Sequence, residues 1–394
     1  MRYMWKFFLL LMLVVTSCSE KQIDGNVINV AEAMSRLSEG QSVQNLFSSI
    51  SYIPLETNEQ AIIGKYPECI IMDSAILVSS VHQNLKLFDR TNGKYIRDIG
   101  HVGTDPEGYA KDSWGKVSFW ADAVRRTVYL LGWNNDFLLY GFDGKYKDRI
   151  RLQDTVNCIL SQNYYLMDAD RIWGHNKMKL SPETPSVFYM DRNTMSLTGI
   201  ATWNSALLPM DEVLSVSNLL GGNVAYGGDL AMAEFVGDRK YSLWKSKDAI
   251  RVKQAFNDTI YTISEQGLTP YLVFELGEWH WNEQQQLDVE GCDKKIAIDY
   301  ILENAEYIYF HFHTSLYLEE SQSYCGFYHK EKKTVVCQKG DSLFDKMNNQ
   351  HIQIRGVTSD GHFFALLQPD ELSDDNQRRM GVEEEGNPIM VMLY

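Results

Sequence analysis

The sequence predicts an all-β protein folded as an antiparallel meander, and three observations lead to that class. Short runs of Val, Ile, Tyr, Phe and Leu recur from about Ser48 onward, with the length and period of strands. Asn-Gly and Asp-Gly pairs separate neighbouring runs, and both pairs accept the positive φ that tight hairpin turns require. Few long helical patterns compete with these signals.

Individual hairpins can be assigned along the chain. Asn92-Gly93 lies between the predicted strands Leu85–Asp89 and Tyr95–Ile99, Asp143-Gly144 follows an apolar run at residues 137–140, and Asp360-Gly361 precedes another at residues 363–367. Each pair predicts a turn between two antiparallel strands.

A unit of strands followed by an aromatic-Asp turn recurs loosely in both halves of the chain, as at Phe88-Asp89 and Phe142-Asp143. Repeated four-stranded units predict a β-propeller, because neighbouring blades bury each other's faces and leave only short edges. Residues 48–394 would supply roughly 58 residues per blade for six blades and roughly 50 for seven. Length therefore leaves the blade number open.

The charge balance excludes one class of partner. The chain has 52 acidic and 37 basic residues, a net charge of -15, and no cluster of Lys and Arg. Phosphate affinity depends on such clusters, so we expect no nucleic-acid partner.

The first residues are those of an export signal. Arg2 and Lys6 precede an apolar run at residues 7–15, which is too short to span a membrane. Residues 15–18, Val-Thr-Ser-Cys, resemble the lipobox of bacterial lipoproteins, which implies cleavage before Cys18 and lipid attachment to it. Loss of Arg2 and Lys6 would take the net charge to -17. The alternative is a plain signal peptide in which the cysteine is incidental.

The predicted organisation is thus a signal peptide at residues 1–17, a lipidated Cys18 with a polar tether to residue 47, and a propeller at residues 48–394. The N-terminal strand at residues 51–55 and a C-terminal strand at residues 389–393 are expected to share a blade and close the ring. The membrane would be contacted through the lipid alone.

The chain also resembles the six-bladed β-propeller lipoproteins of Bacteroidota, which are related to NHL-repeat propellers. The resemblance is carried by residues 52–57, 87–100, 257–271 and 356–361. It implies six four-stranded antiparallel blades and a lipid anchor in the cell envelope, at the outer membrane on its periplasmic side or on the cell surface. The family mostly lacks an assigned activity, so the resemblance implies no catalytic residue.

One loop departs from the family pattern. The family carries a glycine-rich loop ending Gly-Pro-Gly-Glu-Tyr, and residues 100–109 keep its Pro106 and Tyr109. Asp105 replaces a glycine and Glu107-Gly108 is in inverted order, so no role of the family's glutamate is transferred to Glu107.

Aromatic residues beside polar ones are the candidate ligand-binding positions. A tryptophan can cover the C–H face of a sugar while neighbouring polar groups bind its hydroxyls. Trp173 with His175 and Trp279 with Trp281 fit this pattern, and Tyr109 ends the loop described above. The alternative for each is ordinary packing within a blade.

Two further pairs of residues have spacings that could form a metal site or a disulfide. His311 and His313 are two residues apart on a predicted strand, so both rings share a face and a third ligand from elsewhere would complete a metal site; strand histidines without a metal are the alternative. Cys325 and Cys337 flank a predicted hairpin, and a register that places them opposite would allow a disulfide in an exported protein.

We therefore expect a lipid-anchored binding or interaction module for an envelope partner or an extracellular ligand such as a glycan, with no catalytic residue and no cofactor assigned. One alternative is a hydrolase or lyase acting on a carbohydrate or peptide at the mouth of the propeller channel. Two or more acids, or histidines with an acid, that converge at one end of the channel would favour it. Another alternative is a purely structural subunit, which a large apolar patch on one face would favour.

Overall fold

The structure is a computed structural model, and it describes residues 26–38, 40–112, 115–151, 163–168, 170–176, 185–202, 213–219, 222–227, 233–236, 242–247, 249–254, 257–281, 291–316 and 318–394. The predicted signal peptide and Cys18 lie outside these residues. Among the helices within these ranges, none has the length and apolar character needed to cross a membrane.

Six four-stranded antiparallel blades form a ring. The elements before the first blade are β1 (Val27–Asn29), α1 (Val30–Met34), α2 (Val43–Leu46) and β2 (Ile50–Pro54). The first three blades are formed by β3 (Glu68–Ile71), β4 (Ala75–Ser79), β5 (Leu85–Asp89) and β6 (Tyr95–Ile99), then β7 (Phe119–Asp122), β8 (Thr127–Leu131), β9 (Asp136–Gly141) and β10 (Tyr146–Arg151), then β11 (Asn163–Met167), β12 (Arg171–Asn176), β13 (Val187–Asp191) and β14 (Leu197–Ala201).

The second half of the chain continues the same arrangement. Its elements are β15 (Val213–Leu219), β16 (Gly222–Gly227) and β17 (Ala233–Val236), then the fourth blade β18 (Leu243–Ser246), β19 (Ala249–Val252), β20 (Thr259–Ser264) and β21 (Gly267–Glu275), the fifth blade β22 (Ile296–Glu303), β23 (Tyr307–Thr314), β24 (Gln322–His329) and β25 (Thr334–Lys339), and finally β26 (Ser342–Asp345), β27 (Gln350–Val357), β28 (Phe363–Leu367), α3 (Asp374–Met380) and β29 (Ile389–Leu393).

The sixth blade closes the ring with strands from both ends of the chain. It consists of β27, β28, β29 and β2, and β2 pairs antiparallel with β29 from Ile50 opposite Leu393 to Pro54 opposite Ile389. The expected closure is confirmed. Pro54 is tolerated because β2 is the outermost strand, where a missing N–H disrupts no further ladder.

The three-stranded sheet β15–β17 is not a blade of the ring. It lies between the third and fourth blades in sequence, yet β11 of the third blade contacts β18 of the fourth directly. The sheet is therefore an insertion, and the ring has six blades.

Apolar side chains are buried between neighbouring blades, because successive residues of each strand point to opposite faces. On β23, for example, Phe310 and Phe312 pack toward the fourth blade, whereas Tyr309 packs toward the sixth. A core of this kind is distributed around the ring rather than concentrated in one place.

The segment predicted as a tether packs on the outside of the ring from residue 26 onward. β1 adds a parallel strand to β21, α1 contacts β25, and α2 contacts β26. Ile28 and Val30 are fully buried. The structure therefore moves the beginning of the folded unit from residue 48 to about residue 26.

The turns at Gly93, Gly144 and Gly361 all have positive φ, as the Asn-Gly and Asp-Gly pairs predicted. In an antiparallel meander, the connections alternate between the two ends of each blade. We call "the loop face" the end that carries the connections from outermost to innermost strands and from second to third strands. "The hairpin face" is the opposite end.

Candidate functional site

The two faces of the ring differ in the lengths of their connections. The loop face carries the longer connections from β6 to β7, from β21 to β22 and from β28 to β29. The structure describes residues 100–112, 115–118, 276–281, 291–295 and 368–388 of these connections. The hairpin face carries tight turns such as residues 90–94 and 304–306. Binding residues of rigid scaffolds concentrate in long loops, so the loop face is where a ligand site is expected.

Residues 100–109 form a compact loop on this face. The N–H of Tyr109 donates to the carbonyl of His101, and the N–H of Gly103 donates to the carbonyl of Tyr109. The Asp105 side chain accepts from the N–H of Glu107 at 3.1 Å. The loop is thus closed by its own hydrogen bonds, despite the altered order of Glu107 and Gly108.

Three donors of the second blade hold the same loop in place. Trp133 Nε1 donates to the carbonyl of Gly103 at 2.6 Å, Arg149 donates to the carbonyl of Pro106, and the Tyr140 hydroxyl donates to the carbonyl of Glu107. Arg149 Nε also lies 3.2 Å from the buried carboxylate of Asp136. These contacts fix the loop relative to the blade.

Trp133 is the exposed aromatic residue of this assembly. Its side chain is 52% exposed even though its indole N–H is bonded, so the ring is fixed in orientation while much of it faces solvent. His101 Nε2 and Asp105 Oδ2 form a half-exposed pair 2.6 Å apart in the same loop, and the hydrogen bond from His101 lowers the pKa of Asp105. We call Trp133, His101 and Asp105 the Trp133 platform.

Trp133 is not among the predicted ligand-binding residues, although the sequence carries the signal that marks the others. Trp133 is followed by Asn134 and Asn135 in the β8–β9 turn, and Asn135 has the positive φ that asparagine tolerates. An aromatic residue beside amides at a turn is the pattern used to select the other tryptophans.

The selected aromatic residues lie deeper in the blades. Tyr109 is fully buried; its hydroxyl accepts from the N–H of Leu85 at 2.9 Å, and burial raises its pKa. Trp173 and His175 are 4% and 5% exposed. His175 Nδ1 lies 2.7 Å from Ser242 Oγ, and burial lowers the pKa of His175 to about 4. All three side chains pack inside the protein.

The segment that contains the predicted Trp279 and Trp281 lies on the loop face, in the connection between the fourth and fifth blades. Trp281 is buried, but Trp279 is half-buried and His280 is exposed. His280 Nδ1 lies 2.5 Å from Asp258 Oδ2, and burial raises the pKa of Asp258. Of the two predicted tryptophans, Trp279 alone retains solvent-facing surface.

The two predicted histidines contact a carboxylate, Asp299, that was not predicted from the sequence. His311 Nδ1 is 2.7 and 2.8 Å from the two oxygens of Asp299, and His313 Nε2 is 3.7 Å from Asp299 Oδ2. All three side chains are at most 8% exposed. We call these residues the Asp299 cluster. It lies at the loop-face end of the fifth blade, where β22 begins and β23 ends.

A β-bulge places Asp299 in this position. Ile298 pairs with Phe312 and Tyr300 pairs with His311, so Asp299 is the extra residue of β22. A bulge changes the direction of a side chain relative to regular alternation. Tyr300 in turn stacks on His311 with the ring centroids 5.2 Å apart.

His311 also contacts a hydroxyl on its other side. Its Nε2 lies 3.2 Å from Ser323 Oγ, so the carboxylate, imidazole and hydroxyl form a series like the one used in nucleophilic catalysis. Ser323 lies within the paired strand β24 opposite His313, and its carbonyl accepts from Gly340. A nucleophilic serine commonly occupies a sharp strand-to-helix turn instead. The contact between Ser323 Oγ and His311 Nε2 fixes the orientation of the His311 ring.

The predicted disulfide is not formed, because the hairpin register differs by one residue from the one required. Cys337 pairs with Gly326, whereas Cys325 pairs with Gln338. The two thiols are free and point to opposite faces of the blade, Cys337 toward the fourth blade and Cys325 toward the sixth.

Comparison with known proteins identifies one family and a set of similar folds. The model of the family described as "Domain of unknown function (DUF4934)" matches residues 25–394. No curated protein sequence matches the chain.

Among solved structures, a Bacteroides fragilis protein described as a "Putative exported protein" is similar with a TM-score of 0.61 and 13% identity, covering 91% of this chain and 97% of that one. The β-propeller domain of Cps50 (Swd1), described as from Myceliophteria thermophila, matches with a TM-score of 0.37 and 8% identity over 78% of this chain and 96% of its own. The computationally designed protein Ika8 matches with a TM-score of 0.37 and 9% identity over 90% of this chain and all of its own.

Proposed function

The chain belongs to the family described as domain of unknown function DUF4934, and on that premise we propose that it is an exported, envelope-held propeller that binds a carbohydrate ligand on its loop face. The observation that carries this proposal is the Trp133 platform. It combines a solvent-facing indole with a neighbouring imidazole and carboxylate, which are the groups that bind the apolar face and the hydroxyls of a sugar.

The fixed geometry of the platform favours binding. The indole N–H of Trp133 is already bonded to Gly103, and Arg149 holds the far side of the loop. Because these groups are ordered before a ligand arrives, less conformational entropy is lost on binding.

Export and anchoring are part of the proposal. They are supported by the charged and apolar N-terminal residues and by the Val-Thr-Ser-Cys sequence at residues 15–18. The similarity in fold to a Bacteroides fragilis protein described as exported also supports export. If Cys18 carries lipid, residues 19–25 are all that separates it from the folded unit. Seven extended residues reach about 25 Å, so we infer that the propeller stays close to the membrane surface.

The proposal is tested on a glycan array with the purified protein and Trp133→Ala. We expect the wild type to bind a defined group of oligosaccharides and Trp133→Ala to lose at least about 10-fold in affinity, which corresponds to about 1.4 kcal/mol of stacking. Circular dichroism would establish that the variant is folded.

Two control variants separate the platform from general surface effects. Tyr66→Ala removes an aromatic side chain that is 73% exposed in the connection between β2 and β3, on the same face, and Val124→Ala changes a residue 96% exposed on the hairpin face. Both should bind as the wild type does. Equal binding by wild type and Trp133→Ala, or no binding by the wild type, would contradict the proposal.

The second candidate function is hydrolysis of a carbohydrate or peptide. The observation that favours it is the convergence of His311 with Asp299 and Ser323 at the loop-face end of the fifth blade. A serine-directed fluorophosphonate probe tests it: labelling of Ser323 that is abolished in His311→Ala would favour a hydrolase. An unlabelled wild-type protein would contradict a serine mechanism.

A further inference from the structure

The Asp299 cluster has the composition of a transition-metal site. Two imidazole nitrogens and one carboxylate oxygen lie within 4.8 Å of one another. Imidazole and carboxylate together are ligands typical of Zn²⁺, whereas Ca²⁺ and Mg²⁺ are bound mainly by oxygen. We propose that Asp299, His311 and His313 bind a divalent transition-metal ion, with Zn²⁺ as the ion of choice. This inference goes beyond the carbohydrate-binding proposal and uses different residues.

The distances are close to those that a metal would impose. With metal–ligand bonds of about 2.0 to 2.1 Å in a tetrahedral site, ligand atoms are about 3.3 Å apart. Asp299 Oδ2 lies 2.8 Å from His311 Nδ1 and 3.7 Å from His313 Nε2. Shifts of about half an ångström would bring these two pairs to the spacing of metal ligands. The ligand atoms of the third pair, His311 and His313, lie within 4.8 Å of each other.

The surroundings hold the ligands in place. His311 and His313 are on one strand and cannot separate, and the bulge commits Asp299 to the same side. Tyr300 covers one face of the His311 ring. Supporting contacts of this kind are what distinguish a site from three residues that happen to be close.

Ser323 provides the remaining support. A hydroxyl both donates and accepts hydrogen bonds. Ser323 Oγ lies 3.2 Å from His311 Nε2, so it can accept a hydrogen bond from the Nε2–H group when Nδ1 binds a metal. Outer partners of metal-bound histidines fix the tautomer in this way. We therefore assign Ser323 as a positioning residue.

Burial also favours a cation at this position. The Asp299 carboxylate is 4% exposed, and a buried carboxylate requires a positive partner or strong hydrogen bonds. Lys253 is also buried nearby, close enough for Asp299 to stabilise its ammonium, although burial lowers the pKa of Lys253 to about 8. A metal ion held by the three residues would be a further positive partner of this carboxylate.

The test is isothermal titration calorimetry of chelator-treated, full-length protein with ZnCl₂, and with CaCl₂ for comparison. We expect one Zn²⁺ per chain and no Ca²⁺ binding in the same range. Asp299→Asn and His313→Ala should each weaken Zn²⁺ binding by at least about 10-fold, and Ser323→Ala by roughly 10-fold. Unchanged Zn²⁺ binding in Asp299→Asn and His313→Ala, or none in the wild type, would overturn the proposal.

Two matched controls and one spectroscopic measurement complete the design. His101→Ala and His280→Ala each remove a histidine from an exposed His–Asp pair and should leave the Zn²⁺ affinity unchanged. If the cluster variants fail to fold, Co²⁺ added to the wild type decides the question, because four-coordinate nitrogen and oxygen ligation gives intense visible absorption. Only the weak absorption of aqueous Co²⁺ would count against the site.

The same titration separates this inference from both functional candidates. A metal bound to His311 Nδ1 replaces its hydrogen bond to Asp299, so the loaded protein would not label at Ser323. Carbohydrate binding at Trp133 would be unaffected by Asp299→Asn, because the two sites share no residue. Failure of one proposal therefore leaves the other testable.

Discussion

Removal of β29 should abolish the folded ring, because this strand joins the two ends of the chain. It lies between β28 and β2, and its five residues are at most 1% exposed. At roughly 1.5 to 3 kcal/mol for each fully buried apolar side chain, their burial contributes about 8 to 15 kcal/mol. That is as large as the whole stability of a typical domain, about 5 to 15 kcal/mol.

Deletion of residues 389–394 is the variant to measure, by urea unfolding followed with tryptophan fluorescence and circular dichroism. We expect no cooperative transition in the truncated chain. Met390→Ala offers a graded version; Met390 is fully buried between the sixth and first blades, and its truncation should cost about 2 to 5 kcal/mol. Met347→Ala, at a side chain 76% exposed, should change stability by less than about 0.5 kcal/mol.

Cooperative unfolding of the truncated chain at the urea midpoint of the full chain would contradict this prediction. That result would mean that β2 closes the blade by pairing with β28 or that the ring is stable while open. A wild-type free energy of unfolding for Met390→Ala would show that packing between the sixth and first blades does not limit the stability of the ring.

Three other predictions follow from buried groups. Burial lowers the pKa of His175 to about 4 from an unfolded value near 6.5, so the unfolded chain binds the extra proton between these pH values. The wild type should therefore lose about 2 kcal/mol of stability relative to His175→Gln between pH 7 and pH 4.5; urea unfolding at both pH values measures this loss, and equal pH dependence in the two proteins would contradict it. Burial raises the pKa values of Cys325 and Cys337, so both thiols should resist alkylation in the native protein and react after unfolding, whereas a mass lower by two hydrogens would indicate the disulfide. A Cβ on Gly326 would lie 2.2 Å from Phe310 Cζ, so Gly326→Ala should lower the free energy of unfolding by about 1 to 3 kcal/mol. Adding Phe310→Leu to the same chain should recover part of that stability, whereas an unchanged unfolding midpoint in Gly326→Ala would show that the strands can move apart.

The fold was predictable because its signals are local. Hairpin turns require particular residues, and Gly93 and Gly144 occupy the positive φ that their sequence predicted. The closure by β2 and β29 followed from two apolar strands at the ends of the repeat, and the number of blades followed from the family resemblance.

The N-terminal boundary was not predictable from the same signals. Residues 26–47 are short elements in a polar context, and their few apolar residues give no clear period. Ile28 and Val30 become buried only because the outer edges of the fourth and fifth blades are available to them. Tertiary contact, rather than local preference, determines their structure.

Among the site residues, local spacing predicted the histidines, whereas strand register determined their partner. The i, i+2 spacing placed His311 and His313 on one face of β23, and the structure brings both to Asp299. The identity of that acid depends on a bulge in β22 and on cross-strand register, which local sequence does not specify. Register also decided the cysteines, where a shift of one residue separates Cys325 from Cys337.

The burial of each aromatic residue within a blade was also not predictable from the neighbouring residues alone. Trp173 and Trp133 both stand beside polar residues in the sequence, yet one is 4% exposed and the other 52%. Trp173 lies in the middle of β12, whereas Trp133 lies in the turn that ends β8. Position relative to strand ends would have separated the two.

A fluorescence titration tests whether the loop face binds its ligand through Trp133. The oligosaccharide with the strongest array signal is added to the wild type and to Trp133→Ala, and the tryptophan emission is followed. We predict a saturable change in the wild type, because a half-exposed indole loses water when a sugar ring covers it, and no change in Trp133→Ala. An equal change in both proteins would show that the ligand does not bind at Trp133.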